Sequence, residues 1–392
     1  MSAAPLAGVR VLELGQFITG PYAGLLLADL GADVIKVERP GGGDPFRQFR
    51  SGDYSPNFCA YNRNKRSLAL DITKPDGARV LLRAACTADV LIENFRPGVM
   101  KRLGLGWEAL QTANPRLLYC SIAGFSADGP SSERPAYDIV GQAMSGMLCT
   151  FVDPQNPRVT GPTIADQVTG FYACYGVLGA LLRRTCSGRG ARVDVAMIEA
   201  AISFMPDFFS AFTQAGIEMG PQTRAAFSHS FVFACLDGKL IAIQLSSPEK
   251  FWHGLLGAIG RTELGADARF ADRMKRVANF DALILALRPA FAARTREHWM
   301  ARLADADVPF APVNSIAEAM RDPELRHLGS FIELQHPTRG KVTAIRRPVR
   351  IDGEREADML PPPALGEHTD AILAGLGIAG AELARLRETG VV

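Results

Sequence analysis

Residues 9–38 read VRVLELGQFITGPYAGLLLADLGADVIKVE and contain two apolar runs on either side of a helix-length segment. Val9–Leu14 and Val34–Glu38 are rich in β-branched and other apolar residues, which predicts two buried strands. Between them, Pro21–Leu30 predicts a helix that ends at Gly31. A strand, a helix and a second strand in direct succession indicate a βαβ crossover, so the two strands are expected to lie parallel.

The same alternation of strand-like and helix-like segments continues over about the first 200 residues. Short continuous apolar runs are typical of strands that are covered on both faces. We therefore expect an α/β fold with a mainly parallel sheet. The further strand-like runs are Ser67–Ile72, Val90–Glu93, Leu117–Ile122 and Arg192–Val195, and Ala78–Ala85 is a further helix-like run.

The pattern changes after about residue 220, where a β-hairpin is predicted. Phe231–Cys235 and Leu240–Gln244 are apolar runs on either side of an Asp-Gly turn. We interpret residues 225–325 as a small α+β domain, and residues 1–220 plus 326–392 as a large domain. Within the C-terminal part, Val342–Ile351 predicts one more strand.

Two helix starts are predicted in the small domain from capping signals. Ser246 precedes a proline and is followed three residues later by Glu249, and Ser315 stands in the same relation to Glu318. Serine followed three residues later by glutamate is the pattern of a capping box.

The composition is that of an ordinary globular protein. A formal net charge of +2 over 392 residues gives no reason to expect nucleic acid or a membrane surface as a partner. No apolar run approaches the length that crosses a bilayer, and the start, MSAAPLAGVRVLEL, lacks the pattern of a signal or transit peptide. The seven cysteines never form C-x-x-C, and the six histidines lack metal-ligand spacing. We expect a soluble, cytoplasmic protein without a disulfide framework or a metal site.

The connection after the first strand differs from a nucleotide-binding loop. It reads GQFITGP from Gly15 to Pro21, which is not G-x-G-x-x-G, and the chain also lacks G-x-x-x-x-G-K-[ST]. Both absences argue against an enzyme that uses a nicotinamide cofactor or ATP.

Three arginines follow predicted strand ends, where ligands of parallel sheets usually bind. Arg39 precedes the triplet Gly41-Gly42-Gly43, while Arg96 and Arg102 follow Val90–Glu93. Guanidinium groups gathered at one sheet edge would form an anion-binding cluster that the net charge does not suggest. The alternative is that the glycines form a flexible turn and each arginine faces solvent.

Asp166 ends the stretch TGPTIAD, directly before an apolar helix predicted at Val168–Leu182. On position alone the simplest interpretation is a helix N-cap. The helix dipole would also keep this carboxylate ionised, and an ionised carboxylate among apolar neighbours can act as a nucleophile, so the two interpretations are compatible. Other nucleophiles are less well supported, since Ser126 is not in G-x-S-x-G and no cysteine has a papain-like or caspase-like context. Spacing alone leaves a paired-carboxylate glycosidase open.

Seven segments, taken together and in order, resemble the family III coenzyme A transferases, the group of formyl-CoA and carnitine CoA-transferases. The resemblance implies a Rossmann-like large domain completed by the C-terminal segment, a small domain, and a homodimer whose protomers are interlocked like the links of a chain. The segments span nearly the whole sequence and are GVRVLELGQFITGPYAGLLLADLGADVIKVERPGGGD, YNRNKRSLALDI, VLIENFRPGVMKRLG, RPAYDIVGQAMSG, GPTIAD, SGRGARVDVAMIEA and LGEHTD…LRETGVV.

The resemblance also implies roles for individual residues. Asp166 falls on the family's catalytic aspartate, and Tyr137 on an active-site tyrosine near the thioester. The residues that fall on coenzyme-binding positions are Phe17, Ile18, Arg39, Leu70, Asp71, Ile72, Thr73, Asn94, Phe95, Arg96 and Arg102. Coenzyme A is then a substrate, and no permanently bound cofactor is implied.

Two departures from formyl-CoA transferase concern the acid substrates. Ile18 stands where that enzyme has a glutamine, and its tetraglycine lid is missing here. Both differences argue against formyl-CoA and oxalate as the natural pair. The stretch FSHS at 227–230 is the expected replacement for the lid, and Arg224, Ser228 and His229 are the predicted contacts of the acceptor acid.

The expected activity is transfer of coenzyme A between carboxylic acids through an aspartyl anhydride and an aspartyl-CoA thioester. The alternative within the same family is a 2-methylacyl-CoA racemase. In racemases a histidine precedes the aspartate of the motif, where this chain has Tyr137-Asp138, and a tyrosine with an ordinary pKa near 10 is a poor base. The aspartate matching Asp166 occurs in both branches. A non-catalytic acyl-CoA-binding protein is a third alternative, and it would have no use for a nucleophile at that position.

Overall fold

The computed structural model of the chain describes residues 4–50, 52–355 and 359–392. Its contacts divide the chain into two compact units. The domain ranges predicted from the sequence differ from these units at 148–160, 206–220 and 326, which the prediction places in the large domain. The large unit comprises Met1–Met147, Gly161–Met205 and His327–Val392, and the small unit comprises Leu148–Thr160 and Pro206–Arg326.

The strands of the described residues are β1 (Arg10–Glu13), β2 (Asp33–Glu38), β3 (Lys65–Ala69), β4 (Val90–Glu93), β5 (Leu118–Ala123), β6 (Ala191–Ala196), β7 (Ser230–Ala234), β8 (Leu240–Gln244), β9 (Phe310–Pro312), β10 (Phe331–His336) and β11 (Gly340–Ile345). A six-stranded sheet with the order β3-β2-β1-β4-β5-β6 forms the centre of the large unit. Its neighbouring strands all run parallel, which confirms the predicted α/β class. The strand order reverses between β1 and β4, and ligands of such sheets bind at the carboxyl ends of the strands at this point.

The α-helices of the described residues are α1 (Thr19–Ala28), α2 (Pro56–Asn62), α3 (Pro75–Ala85), α4 (Val99–Arg102), α5 (Trp107–Ala113), α6 (Asp138–Met144), α7 (Ile164–Ser187), α8 (Met197–Ser203), α9 (Pro206–Ala215), α10 (Thr223–Ser228), α11 (Glu249–Ile259), α12 (Arg273–Ala278), α13 (Phe280–Ala292), α14 (Arg296–Asp305), α15 (Ile316–Ala319), α16 (Pro323–His327), α17 (Thr369–Gly375) and α18 (Gly380–Glu388). Over the described parts of the chain, no helix combines the length and the apolar character needed to span a bilayer.

Apolar side chains cover both faces of the six-stranded sheet. Successive residues of a strand point to opposite faces, so Val11 and Leu12 of β1 belong to two different cores. Val11 packs with residues of α1 and α7, such as Leu27 and Val177. Leu12 packs with α3, α5 and the C-terminal helices. Burial on both faces explains why the strands of this sheet are continuous apolar runs.

The C-terminal segment completes the large unit with helices and not with a strand of the parallel sheet. Leu373 of α17 and Leu386 of α18 are buried in the same core as Leu12. Strands β10 and β11 form a separate antiparallel two-stranded sheet. The strand predicted at Val342–Ile351 is therefore present as the second strand of a hairpin, and it ends at Ile345.

The small unit contains the predicted hairpin. Strands β7 and β8 pair antiparallel, and β9 adds a third strand. Phe233 of β7 stacks on Phe291 of α13 with the ring centroids 4.5 Å apart, so the hairpin and the helix share one core.

The two predicted helix caps of the small unit have different outcomes. Ser315 forms the predicted capping box with Glu318. The cap predicted at Ser246 is wrong, because α11 begins at Glu249 after Pro248, and none of the described side chains caps it. Ser246 instead has a φ of 54°, and its N–H donates to the Ser228 carbonyl at 2.9 Å.

Candidate active site

The loop between β1 and α1 depends on two glycines that touch each other. A Cβ atom on Gly15 would lie 2.7 Å from the Cα of Gly20, and a Cβ on Gly20 would lie 2.8 Å from the Cα of Gly15. Only glycine fits at either position, so these residues let the helix begin directly beside the end of the strand. This close contact is not visible in the sequence, where the loop merely lacks G-x-G-x-x-G.

Asn94, directly after β4, forms hydrogen bonds to this loop. Its Oδ1 accepts the backbone N–H of Gln16 at 2.9 Å, and its Nδ2 donates to the Gln16 carbonyl at 2.8 Å and to the Thr19 hydroxyl at 2.9 Å. Asn94 thus has a structural role, since it joins the carboxyl ends of β1 and β4. Its role in coenzyme binding stays a prediction.

A cavity of about 380 Å³ lies at the carboxyl ends of β1, β4, β5 and β6, beside the reversal of strand order. Phe17, Ile18 and Asn94 line it together with Tyr137 and Asp166, so the large unit brings together residues that are far apart in sequence. The remaining lining residues are Gln16, Thr19, Phe95, Arg96, Pro97, Val99, Ile122, Ala123, Gly124, Phe125, Ser132, Arg134, Pro135, Ala136 and Met197.

A second cavity of about 140 Å³ lies at the ends of β1, β2 and β3. Gln16, Phe95 and Val99 line both cavities, so the two lie side by side along one sheet edge. The predicted coenzyme residues that line the second cavity are Arg39, Leu70, Asp71, Ile72, Thr73 and Phe95.

Asp166 lies in the first turn of α7 and is not the N-cap. The helix begins at Ile164 with Thr163 as its N-cap, so the cap interpretation of Asp166 is wrong. The Asp166 N–H donates to Oδ1 of Asp138 at 3.2 Å, and Gln142 donates to the other oxygen of Asp138 at 2.6 Å. Two carboxylates therefore lie near each other at the starts of α6 and α7.

The electrostatic environment of Asp166 also differs from the expectation of a carboxylate held ionised by the helix dipole. Burial and the neighbouring Asp138 carboxylate raise the pKa of Asp166 to about 7. Desolvation disfavours the charged form, and a second negative charge adds to this effect. A carboxyl group poised near neutral pH inside a cavity is a feature of functional sites more than of structural caps.

Aromatic rings surround the start of α1. Phe17 meets Tyr137 edge-on with the centroids 5.8 Å apart, and it meets Phe46 in the same manner at 5.3 Å. Phe17 also has a φ of 62°, in the left-handed region that side chains other than glycine rarely occupy. Its backbone strain lies directly beside the cavity, which is where such strain is usually found in enzymes.

A family model and individual relatives agree on what this chain is similar to. Residues 6–369 match the model described as "CoA-transferase family III". The chain belongs to CoA-transferase family III. Succinyl-CoA:glutarate CoA-transferase of Mus musculus is 32% identical over 95% of this chain and 86% of its own, and formyl-CoA:oxalate CoA-transferase of Rhodopseudomonas palustris is 33% identical over 99% and 97%. The crystal structure of a CAIB/BAIF family protein from Brucella suis has a TM-score of 0.85 and 32% identity, covering 96% of this chain and 100% of that one.

Membership of CoA-transferase family III makes this chain an enzyme that transfers coenzyme A. Of the predicted arginines, Arg39 and Arg96 line the cavities, whereas Arg102 lines neither of the two. Arg102 lies at the exposed end of α4. Its predicted part in coenzyme binding stays a prediction.

The three predicted acceptor contacts lie in the small unit. The Ser228 hydroxyl donates to the Arg224 carbonyl at 2.6 Å and lies 3.1 Å from the Ser230 hydroxyl. His229 is buried, its ring lies parallel to that of Phe231, and burial lowers its pKa. Their contact with an acceptor acid stays a prediction, and the burial of the His229 ring leaves it little surface for such a contact.

Several residues of the site were not predicted from the sequence. Gln16, Arg134 and Met197 line the larger cavity, and Asp138 contacts the backbone of Asp166. Arg134 and Asp138 both stand in the segment RPAYD that carried the family resemblance, so proximity to Tyr137 was the available signal. Met197 follows β6, and only the strand order shows that this strand ends beside the cavity.

Proposed function

We propose that this enzyme transfers coenzyme A from an acyl-CoA donor to a carboxylic acid by covalent catalysis at Asp166. The observation that carries the proposal is the lining of the larger cavity. Asp166 is the only carboxylate among the described residues that line it. A carboxylate can attack a thioester carbonyl and form an anhydride, which is the reaction that carboxylate exchange requires.

The reaction is a sequence of acyl transfers. A carboxylate oxygen of Asp166 attacks the donor thioester, the C–S bond breaks, and the coenzyme leaves as a thiolate, giving a mixed anhydride. The thiolate attacks the aspartyl carbonyl of this anhydride, releases the donor acid and forms an aspartyl-CoA thioester. The acceptor carboxylate then displaces the thiolate, which attacks the acceptor carbonyl of the second anhydride. The new acyl-CoA leaves, and the Asp166 carboxylate is regenerated.

The surroundings of Asp166 support this chemistry in two ways. A pKa of about 7 means that the ionised form is present at neutral pH, and that this form is more basic than an ordinary carboxylate. Phe17, Phe125 and Met197 give the cavity an apolar wall, which limits the water that would hydrolyse an anhydride.

The second cavity is the proposed place for the coenzyme's nucleotide end. Residues Leu70–Thr73 line it on one side, and Arg39 lies at its exposed rim, where a guanidinium group is suited to a phosphate. The reactive thioester would then extend past Gln16 and Phe95, which border both cavities, toward Asp166.

For the acids, we propose the CoA thioester of a dicarboxylic acid, such as succinyl-CoA, as the CoA donor. Mus musculus succinyl-CoA:glutarate CoA-transferase is a relative whose name contains such a donor. The departures at Ile18 and in the lid segment argue against formyl-CoA and oxalate, although a relative with that name has a similar identity. A panel of CoA thioesters tested against a panel of carboxylic acids, with products identified by mass spectrometry, would assign the pair.

The racemase alternative finds little support in the site. Tyr137 stands where racemases carry a histidine, and its side chain is 63% exposed. Among the described residues that line the larger cavity there is no histidine to act as a second base. Fast uptake of deuterium alpha to the carbonyl of a 2-methylacyl-CoA, in deuterated water and without an acceptor acid, would favour the racemase.

The covalent mechanism is tested by trapping. Incubation with donor thioester and hydroxylamine should convert Asp166 into a hydroxamate, which mass spectrometry locates in its peptide. Asp166→Ala should lose both the label and the transfer activity while it keeps the fold. Exposed Asp128 provides a control, since Asp128→Ala should keep both. Near-normal transfer by Asp166→Ala would show that another group carries the reaction.

We also propose a homodimer of the interlocked kind that the family resemblance implies. The support from this chain is an apolar stripe on α7, the longest described helix. Phe171, Tyr175 and Leu182 are 57%, 68% and 72% exposed, and their spacing puts them on one side of the helix. Contiguous exposed apolar surface of this type is typical of an interface.

A further inference from the structure

A network of buried charges lies beneath the loop of residues 15–18. The Lys36 ammonium group lies 3.0 Å from Glu13 Oε1 and 3.0 Å from Asp44 Oδ2, and it donates to the Gly15 carbonyl at 2.9 Å. Glu13 and Lys36 are completely buried, and Asp44 is 2% exposed. The other oxygen of Glu13 accepts from Lys65 at 2.5 Å, so Glu13 has a cation at each oxygen.

The network is bonded to successive backbone groups of the loop. Oδ1 of Asp44 accepts the Phe17 N–H at 3.1 Å and the Phe46 N–H at 2.9 Å. Lys36 holds the carbonyl of Gly15 on the other side of Gln16. The Lys36–Asp44 ion pair thus holds the backbone on both sides of Gln16, directly before the left-handed Phe17.

Contribution to stability is a weak explanation for this arrangement. A buried ion pair often stabilises a fold less than apolar residues of the same volume would, because both charges must be desolvated. Here the charges are bonded to the backbone beside Phe17, which has a left-handed conformation and lines the cavity together with Asp166. Specifying one conformation is a role that buried charges fulfil in other proteins.

We propose that Lys36 and Asp44 are positioning residues that hold Phe17 in its left-handed conformation, and so place its ring and the neighbouring backbone against the acyl thioester. The proposal rests on the proposed reaction at Asp166, because the ring is placed for that reaction. Both oxygens of Asp44 are needed, one for Lys36 and one for the Phe17 N–H. Only a carboxylate accepts at both.

Asp44→Asn tests whether both contacts of the Asp44 carboxylate are required. An amide has one oxygen, so its NH₂ group must face either the Lys36 ammonium or the Phe17 N–H, and one contact is lost. Misplacing a reacting group by about 1 Å can reduce a rate by ~100-fold, so we expect at least a tenfold slower formation of the acyl-enzyme in single turnover. A crystal structure of the variant should show Phe17 outside the left-handed region.

A double-mutant cycle distinguishes positioning from a general loss of structure. In a Phe17→Ala background no ring remains to be placed, so Asp44→Asn should slow acylation less than threefold there. An equal loss in both backgrounds, or a variant structure in which φ of Phe17 stays near 62°, would overturn the proposal.

Three further variants separate the proposed positioning role from other effects of the mutation. Asp29→Asn removes a similarly buried charge, paired with Arg63, from the same unit but away from the loop, and it should leave acylation unchanged. If Asp44→Asn does not fold, Lys36→Met/Asp44→Asn restores the charge balance of the network and serves in the same cycle. An active Asp166→Ala would overturn the proposed reaction alone, because the conformation of Phe17 is read without turnover.

Discussion

Asp138 Oδ1 accepts the backbone N–H of Asp166 at 3.2 Å. This contact holds a second carboxylate beside the proposed nucleophile, and the repulsion between the two charges adds to burial in raising the pKa of Asp166. The Asp166 carboxylate is therefore stabilised when it loses its charge. In the proposed reaction acylation removes that charge, so Asp138 would favour the covalent intermediate over the free enzyme.

The first prediction concerns the pH dependence of the reaction. Only ionised Asp166 is nucleophilic, so kcat/KM should fall on the acid side with an apparent pKa near 7. Asp138→Asn removes a negative charge and should shift this limb to lower pH, because the ionised form of Asp166 then becomes easier to reach. The measurement is kcat/KM between about pH 5 and 9.

Asp138→Asn is a mild change. The asparagine Oδ1 still accepts the Asp166 N–H. Its NH₂ group can donate to Oε1 of Gln142 once the Gln142 amide turns, because this buried oxygen has no hydrogen-bond partner among the described residues. Asp128→Asn, at an exposed site, is the charge-matched control and should leave the limb in place. An unshifted limb in Asp138→Asn would show that Asp138 does not influence the ionisation of Asp166. Tyr61 interacts electrostatically with both carboxylates, and Arg96, Arg134 and Tyr137 line the same cavity as Asp166.

A second prediction concerns stability. The folded-state pKa of Asp166 is about 7, above its ordinary value, so the folded state binds the proton more tightly than the unfolded chain. The free energy of unfolding therefore falls as the pH rises from about 4 to about 7, and the full destabilisation by Asp166 is present above that range. Asp166→Asn removes this cost. The free energy of unfolding of the variant should exceed that of the wild type by about 1–3 kcal/mol at pH 8, and by much less at pH 5. Denaturant titrations at the two pH values measure the difference, and an equal gain at both would contradict the assigned ionisation.

The third prediction compares two arginines. A charge-assisted contact with phosphate contributes ~1.5–3 kcal/mol, so Arg39→Ala should raise the KM for the thioester about tenfold or more. Arg102→Ala should have a smaller effect, because Arg102 lines neither cavity. Arg189→Ala, at an exposed site, is the control for the loss of a positive charge and should leave the KM unchanged. Steady-state kinetics with a saturating acceptor acid measure all three, and an unchanged KM in Arg39→Ala would place that side chain in solvent.

The fourth prediction concerns assembly. Interlocked protomers part only when they unfold, so dilution should not yield a folded monomer and dissociation should coincide with denaturation. Phe171→Glu or Leu182→Glu places a charge in the apolar stripe of α7 and should prevent dimer formation. Leu285→Glu changes a similarly exposed leucine of the small unit and should not. Sedimentation velocity over a wide concentration range distinguishes these outcomes, and a folded wild-type monomer would defeat the proposal.

How far the sequence predicts this fold depends on the range of the interactions. The alternating runs from Val9 onward predicted the parallel sheet, because each strand and helix carries its own periodic signal. The Ser315 cap was predicted because its partner Glu318 is three residues away. Ser246 carries the same local signal, but a backbone bond to Ser228 holds it in another conformation, and no local pattern shows such a bond.

For the candidate site, too, local features were predicted from the sequence and long-range contacts were not. Family-like segments located Phe17, Tyr137 and Asp166, and the structure places all three around one cavity. The pKa of Asp166 was expected to be low from its helix position, but it is set by burial and by a carboxylate 28 positions earlier in the chain. The support of Phe17 by Lys36 and Asp44 likewise depends on side chains that meet only in the folded sheet.

The C-terminal helices have a consequence for how the chain is made. Leu373 and Leu386 fill the same core as Leu12, and the N–H of Asp71 donates to the Val391 carbonyl at 2.8 Å, so this core can be completed only after residues 373–391 have been synthesised. A ribosome delivers residues in order, and the small unit is complete well before these helices emerge. The large unit can close only after these helices have emerged, and in the proposed interlocked dimer a second protomer could thread through the open unit before then.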